Sequence, residues 1–386
     1  MARAPSLPGR ALTAALAVFA SLGCIAAACE DDPHLRTTPE QARAGSGGAC
    51  EAAPGKLPAP DCDDSDKKCE KGACAIDEAR CGSKATCLPT ADNRGKDVLD
   101  FRLRRLNIAA PPALASEFVQ GTIVNLNIDL AEKSCGELGK GLFTWLLRYD
   151  KKAGKILTGG APPPRDALGQ GFCFASFETR ASDGTVTKVE PVEMRVAVEG
   201  DTWRTVEPRP VNIPIFLSED IGSSILLPIR DARIESVRIS DDGNCIGRFN
   251  PLALDEGCYD DRSLCSKWTT AGSIGGYITL EEADRVLIRD LANKSLCAFL
   301  AGEPTNLCAR DGAGRIAYRG DYCSTDKTAG SCADSVWLAA TFAGAAVKIF
   351  EGSGSVPGCS GVTVGGGADA GPEAGSPDGS APDASP

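Results

Sequence analysis

The sequence predicts a mainly β protein: an antiparallel β-sandwich body with one amphipathic helix, preceded by a small disulfide-rich module. Three observations predict this class. Short segments that alternate apolar and polar residues recur between Gly, Asp and Pro turns. The 386-residue chain contains 18 cysteines, many of them clustered. One segment with helical spacing follows a capping motif.

The first element is an export signal. Arg3 and Arg10 precede an uncharged apolar stretch over residues 11–23, an order typical of a secretory signal peptide. The stretch is shorter than the roughly 20 apolar residues that span a membrane. It leads into ASLGC, which ends at Cys24, and IAAAC, which ends at Cys29. Both segments resemble the lipobox of bacterial lipoproteins, which implies that a cysteine is acylated and becomes the new N terminus.

Cysteine parity favours Cys29 over the alternative, Cys24, as the lipidated residue. Of the 18 cysteines, removal of Cys24 and acylation of Cys29 leaves 18 − 2 = 16, an even number. Acylation of Cys24 leaves 18 − 1 = 17, one of them unpaired. Ordinary signal-peptide cleavage, which yields a freely secreted protein, is the alternative. We predict a signal peptide over 1–28 and a flexible tether over 29–49. The location predicted for the protein is the outer membrane or cell surface, with the periplasmic face left open.

Residues 50–90 are predicted to form a disulfide-rich module, because they hold six cysteines among few large apolar residues and need cross-links to fold. Four aspartates within 61–66 suggest calcium, but Gly and Glu are missing from the EF-hand positions, so a solvated turn is favoured. Oxidation is the expected fate of every mature cysteine in an exported chain. The candidates are Cys50, Cys62, Cys69, Cys74, Cys81, Cys87, Cys135, Cys173, Cys245, Cys258, Cys265, Cys297, Cys308, Cys323, Cys332 and Cys359.

The region 91–240 is predicted to be the sandwich. Its alternating segments predict strands at 101–108, 124–130, 141–150, 155–159, 192–199, 211–217, 223–229 and 233–240. Pro214 and Pro228 indicate a sheet edge or a bulge. Cys135 and Cys173 flank an aromatic hairpin and are expected to pair.

The aromatic hairpin itself has two interpretations. Phe143, Trp145, Leu147 and Tyr149 share one strand face. That face serves either as a ligand platform or, as we favour with so few aromatic residues in the chain, as part of the core.

The region 241–359 is predicted to be a disulfide-stapled α+β section, either a separate domain or part of the sandwich. Thr279 and Glu282 form the capping box of a helix, and Gly302 is its expected stop. Residues 336–351 are predicted to form a buried strand, with a helix as the alternative. The tail 360–386 lacks aromatic residues, Lys and Arg, so we predict that it is disordered.

Composition limits the function classes. A net charge of −11 argues against nucleic acid as a partner. The single histidine, His34, lies in the predicted flexible tether, which argues against a catalytic site that depends on histidine. A carbohydrate-active hydrolase that uses paired carboxylates remains the alternative. The candidate residues of such a hydrolase are Asp255, Glu256, Asp260, Asp261, Tyr259 and Trp268. The interpretation that we favour for this segment is a polar loop held by disulfide bonds.

We therefore predict no catalytic, cofactor-binding or metal-binding residues, and a binding or structural role in the cell envelope. The predicted partners are a membrane, reached through the lipid anchor, and an envelope protein or polysaccharide. The layout as a whole supports this location. Acidic Ala-Asp-Ala-Gly-Pro tracts, a cysteine-rich module behind a lipobox, and LEEADRVLIRDL before GDYC resemble surface lipoproteins of myxobacteria. That resemblance implies a surface location and attaches no activity.

Overall fold

The computed structural model describes residues 52–60, 90–130, 139–180, 186–216, 224–249, 268–288, 291–351, 358–359 and 362–365. Within these ranges the protein is mainly β, as predicted. Its strands are β1 (Val98–Ala110), β2 (Trp145–Asp150), β3 (Lys155–Gly160), β4 (Phe177–Arg180), β5 (Val186–Val189), β6 (Val192–Glu199), β7 (Thr202–Thr205), β8 (Arg209–Ile215), β9 (Ile225–Glu235), β10 (Val237–Arg238), β11 (Cys245–Ile246), β12 (Arg248–Phe249), β13 (Trp268–Thr269), β14 (Gly272–Thr279), β15 (Leu287–Ile288), β16 (Lys294–Ser295), β17 (Tyr322–Cys323), β18 (Thr328–Ala329), β19 (Ser335–Ala346) and β20 (Val362–Gly365).

Three short helices accompany the strands in the described chain. Helix α1 is a π-helical stretch, Val119–Asn125, that continues into the α-helical turn Leu126–Ile128. Helix α2 is Leu280–Arg285 and helix α3 is Leu296–Leu300. Apolar side chains from all three helices join the largest core cluster, so the helices pack against the sheet.

One large antiparallel sheet forms the body, in the order β10-β7-β6-β3-β2-β1-β19-β14-β9-β8. The sheet curls until its ends meet, because β9 passes through the left-handed residue Ser236 into β10, which pairs with β7. The Thr205 hydroxyl of β7 adds two hydrogen bonds to the backbone of Ile234 in β9, at 3.1 and 3.2 Å. The two layers predicted for the body are therefore parts of one curled sheet.

Strand β19 lies at the centre of this sheet, between β1 and β14. Every one of its residues is buried, which explains why its sequence is apolar apart from Ser335 and Thr341. Val336, Leu338 and Phe342 contribute to the main core, whereas Trp337 belongs to a separate cluster on the opposite face. The predicted buried strand is confirmed here and the helical alternative is wrong.

The predicted aromatic hairpin is also confirmed, as β2 paired with β3. Phe143, Trp145, Leu147 and Tyr149 all belong to the main core cluster, so the core interpretation of this face is correct. Leu146 points the other way, into a second buried cluster with Phe172 and others. This part of the sheet is therefore covered on both faces.

The two strand prolines lie where a backbone N–H is dispensable. Pro214 is in β8, the outermost strand of the described sheet. Pro228 pairs with Asn212 in β8, but lies before the stretch of β9 that pairs with β14, which begins at Arg230. Neither proline interrupts a two-sided ladder, as the sequence predicted.

The strand predicted at 124–130 is wrong, because these residues lie largely in helix α1. Their apolar positions alternate, but Val124 and Ile128 are also four residues apart, which suits one face of a helix. Both are buried together with Val119, whereas Leu126 is exposed. A short apolar run fits both periods, and packing against the sheet decides in favour of the helix.

The predicted capping box is confirmed at the start of α2: the Glu282 N–H donates a hydrogen bond to the Thr279 hydroxyl, and the Thr279 N–H donates one to the Glu282 carboxylate. The helix ends at Arg285, earlier than predicted, because the chain turns into the hairpin of β15 and β16. Gly302, at φ 66°, follows α3 instead.

Disulfide bonds join three described pairs: Cys173–Cys359, Cys297–Cys308 and Cys323–Cys332, with Cα–Cα distances of 6.0, 5.7 and 4.9 Å. Cys245 is also disulfide-bonded. The predicted Cys135–Cys173 pair is wrong, since Cys173 reaches across 186 residues to Cys359. Proximity along the chain suggested Cys135, but the curled sheet brings the end of the body beside Cys173.

Candidate functional site

A cluster of three aromatic side chains lies on the outer face of the sheet. Tyr277 is in β14, Tyr322 in β17 and Trp337 in β19. The Tyr322 ring centroid is 5.3 Å from that of Tyr277 and 5.1 Å from that of Trp337. These separations fall in the range favoured by interacting aromatic rings. All three side chains are nevertheless buried, so another part of the chain covers them.

The covering segment is Ala52–Pro60, which we call the strap. It begins with a turn in which the Lys56 N–H donates to the Ala53 carbonyl. Pro54 and Gly55 occupy the two central positions, and Gly55 has φ 83°, as a type II turn requires. Leu57 follows the turn and packs on the aromatic cluster. A side chain at position 275 would collide with Leu57, so Gly275 makes room for it.

Side chains from three strands hold the strap by its main chain. Arg233 Nη2 of β9 donates to the Gly55 carbonyl at 2.9 Å, and Trp337 Nε1 of β19 donates to the Lys56 carbonyl at 2.7 Å. The Ser273 hydroxyl of β14 donates to the Pro58 carbonyl at 2.5 Å. We call the surface formed by Arg233, Ser273, Gly275, Tyr322 and Trp337 the docking face. The docking face binds main-chain carbonyl groups, which every peptide has, and makes one apolar contact, with Leu57.

A charged rim borders the docking face. The Lys327 ammonium lies 4.4 Å from the Tyr277 ring centroid, donates to the Tyr277 hydroxyl and pairs with Asp231 at 2.9 Å. Asp231 and Lys327 both have left-handed backbones, with φ 49° and 56°, an uncommon state for residues other than glycine. Such strain persists only where the surroundings enforce it.

Protonation at the rim and the docking face follows from burial and hydrogen bonding. Desolvation lowers the pKa of Lys327, but its bonds to Tyr277 and Asp231 outweigh this effect and raise the pKa above its usual value. Burial raises the pKa of Tyr322. Lys327 therefore stays a cation and Tyr322 a neutral phenol at neutral pH.

Two described clusters have the composition of a metal site: Asp284 with Cys297 and Cys308, and Asp334 with Cys323 and Cys332. In both, the sulfur atoms are joined in a disulfide and are not available as the thiolates that a metal requires. The carboxylates are occupied as well. Asp284 accepts from Ser295, Cys308 and Arg310, and Asp334 accepts from Ser324 and Ser335.

Most of the residues that the sequence singled out lie outside the described ranges. These are Cys24, Cys29, His34, the acidic cluster at 61–66, Tyr259 with the carboxylates at 255, 256, 260 and 261, and the disulfide candidates Cys50, Cys62, Cys69, Cys74, Cys81, Cys87, Cys135, Cys258 and Cys265. The lipidation, disulfide-rich module and hydrolase hypotheses therefore stay predictions. Trp268 is described and is buried. The Arg104 guanidinium lies 5.9 Å from the centroid of the Trp268 ring, and the Trp268 carbonyl accepts a hydrogen bond from the Arg105 guanidinium.

Comparison with known proteins adds no relationship: no family model, no curated protein and no solved structure matches this chain. In the described part of the chain, none of the helices has the length and apolar character needed to cross a membrane.

The docking face was missed from the sequence. Arg233, Ser273, Tyr322 and Trp337 are far apart along the chain and meet only through the pairing of β9, β14, β17 and β19. Two local signals did exist. The APGK turn of the strap is recognisable by its Pro-Gly pair, and the Gly-Gly pair before Tyr277 marks a place where another segment approaches the strand closely.

Proposed function

We propose that this protein is an exported, lipid-anchored protein of the cell envelope with a binding or structural role. The observation that supports export is the disulfide bonding of the body: Cys173–Cys359, Cys297–Cys308 and Cys323–Cys332. Such bonds persist in oxidising compartments and are rare in the cytosol. They link loops, helices and strands of one folded unit, so they belong to the mature protein.

The docking face supports a binding role over a purely structural one. It presents three side-chain donors, from Arg233, Ser273 and Trp337, to the main-chain carbonyls of the strap. Main-chain hydrogen bonds combined with an apolar pocket are a recurring means of peptide recognition.

Intact-mass analysis of protein purified from its native cells tests export and anchoring together. We expect a mature N terminus at Cys29, an added acyl mass and no alkylation before reduction. The Cys29→Ser variant should lose the acyl mass, whereas the matched Cys24→Ser variant should keep it. An unprocessed Met1, or several cysteines that alkylate without reduction, would overturn the proposal.

A further inference from the structure

The strap contacts the docking face as a peptide ligand contacts its binding site, although both belong to the same chain. Three strap carbonyls, those of Gly55, Lys56 and Pro58, accept hydrogen bonds from side chains of the body. These bonds recognise main-chain carbonyls rather than particular side chains. The contact is thus transferable to any segment that presents carbonyls in the same order.

Two strap features add sequence selectivity. The first is the Pro54–Gly55 turn: a Cβ at Gly55 would lie 3.2 Å from the Tyr322 ring, and its φ of 83° strains other residues. The second is Leu57, which packs over Gly275 beside Trp337. The site therefore selects the sequence Pro-Gly-X-Leu, in which Pro-Gly forms the turn and X is any residue.

The body retains a donor that the strap does not use. Within the described residues, the Nε–H of Arg233 is buried and has no hydrogen-bond partner, although Nη2 of the same side chain binds the strap. A buried donor without a partner costs free energy. A segment with an additional acceptor at this point would bind more tightly than the resident strap.

We infer that the docking face is a peptide-binding site for short segments with a Pro-Gly turn followed by leucine, and that the strap is its resident, displaceable occupant. The inference deepens the binding role proposed above and names its ligand class. The strap occupies the site in its own chain at a high effective concentration, on the order of millimolar, so it acts as a built-in competitor. An external peptide gains access when the strap is released.

The test measures binding of a fluorescein-labelled peptide, AAPGKLPAP, to the full-length chain by fluorescence anisotropy. In the Leu57→Asp variant a charge replaces the apolar anchor, so the strap should leave the docking face. We expect this variant to bind the peptide saturably with a Kd of about 0.1 mM or lower, the affinity at which a strap at an effective concentration of about 1 mM competes about tenfold. Wild type and the matched strap variant Ala53→Asp, at an exposed position, should bind at least about tenfold more weakly because the strap competes.

Two further arms test whether the site is the docking face. Adding Trp337→Phe to Leu57→Asp removes the donor to the Lys56 carbonyl but keeps a ring, and should weaken binding about fivefold. A peptide with aspartate in place of its leucine should not bind. The Leu57→Ala variant, which removes the apolar anchor without adding a charge, is titrated with the same peptide in parallel. Circular dichroism shows whether each variant is folded.

The inference would be overturned by either of two results. One is that folded Leu57→Asp and Leu57→Ala chains show no saturable binding with a Kd near or below about 0.1 mM, or bind both peptides equally. The other is that both variants unfold, which would show that the strap is an integral part of the core. Neither result bears on acylation or export, which the mass analysis tests separately.

Discussion

Asp284 illustrates how one buried carboxylate organises a small region of the fold. Its Oδ1 accepts hydrogen bonds from the Ser295 hydroxyl and the Cys308 N–H, both at 2.8 Å, and its Oδ2 accepts one from Arg310 at 3.0 Å. It thereby links α2 to the start of α3 and to the Cys297–Cys308 disulfide. Loss of the carboxylate leaves buried donors without a partner, which is costly.

We predict that Asp284→Ala lowers the free energy of unfolding by about 2–4 kcal/mol. Glu281 is the matched control, because it pairs with the same Arg310 but is exposed; Glu281→Ala should cost less than about 1 kcal/mol. Urea unfolding of both variants, followed by circular dichroism, measures the difference. Equal losses would show that the buried donors are not the cause.

Asp334 makes a stabilising contribution that depends on pH. Partial burial raises the pKa of Asp334, but hydrogen bonds from the Ser324 hydroxyl and N–H and from Ser335 outweigh it, so the pKa lies below its ordinary value of 3.8. A carboxyl group whose pKa is lowered by folding stabilises the folded state above its unfolded pKa. This contribution disappears as the pH falls through the folded pKa.

The Asp334→Asn variant should therefore be destabilised at pH 7, and less so at pH 2, which lies below the ordinary pKa of 3.8. Urea unfolding of wild type and variant at both pH values measures the two differences. Asp241→Asn, at an exposed position on the same body, should show the same small difference at both. A loss for Asp334→Asn that does not change with pH would contradict ionisation as its source.

At the level of secondary-structure elements, two glycines differ in their surroundings. One is required by close packing between strands, and the other lies in open space, where it only adds backbone freedom. In β14, a Cβ at Gly276 would lie 2.5 Å from both the Arg230 carbonyl oxygen and Ile229 Cγ2. In α1, Gly121 is exposed and a Cβ would meet nothing within 4 Å.

We predict opposite effects of alanine at these two sites. Gly276→Ala should lower the free energy of unfolding by about 1–3 kcal/mol, because a strand backbone must move. Gly121→Ala should raise it by about 0.5–1 kcal/mol, because alanine restricts the unfolded chain and favours the helix. Thermal unfolding of both variants measures the effects, and a stable Gly276→Ala protein would contradict the close approach of β9 to β14.

The elements also show how far the sequence could be read. Strands β1, β2, β6 and β19 were predictable because each carries a local pattern of alternation or continuous burial. The 124–130 segment was not, since its spacing suits both a strand and a helix. The docking face was out of reach for a different reason: its donors belong to distant segments, and no local pattern encodes which strands will be neighbours. The pairing of Cys173 with Cys359 escaped prediction in the same way.

For the whole molecule, the disulfides differ most in how much chain they enclose. Cys173–Cys359 spans 186 residues, whereas Cys323–Cys332 spans 9. If the main effect of a disulfide is to restrict the unfolded chain, the longer loop contributes about 5 kcal/mol and the shorter about 3 kcal/mol.

Paired alanine replacements test this ranking. Cys173→Ala with Cys359→Ala should reduce the free energy of unfolding by about 2 kcal/mol more than Cys323→Ala with Cys332→Ala. The measurement is urea unfolding under non-reducing conditions. A larger loss for the short loop would indicate that its bond acts mainly by holding Lys327 and the charged rim in place.

The outermost position of β8 has a consequence for how neighbouring molecules meet. An unprotected outer strand offers its free N–H and carbonyl groups as a template for a foreign strand, which is how many β proteins aggregate. Here Pro214 has no N–H to offer, the pairing with β9 is irregular between Arg209 and Val211, and the Asn212 side chain already donates to the Lys188 carbonyl. Copies crowded side by side should therefore remain separate instead of fusing their sheets.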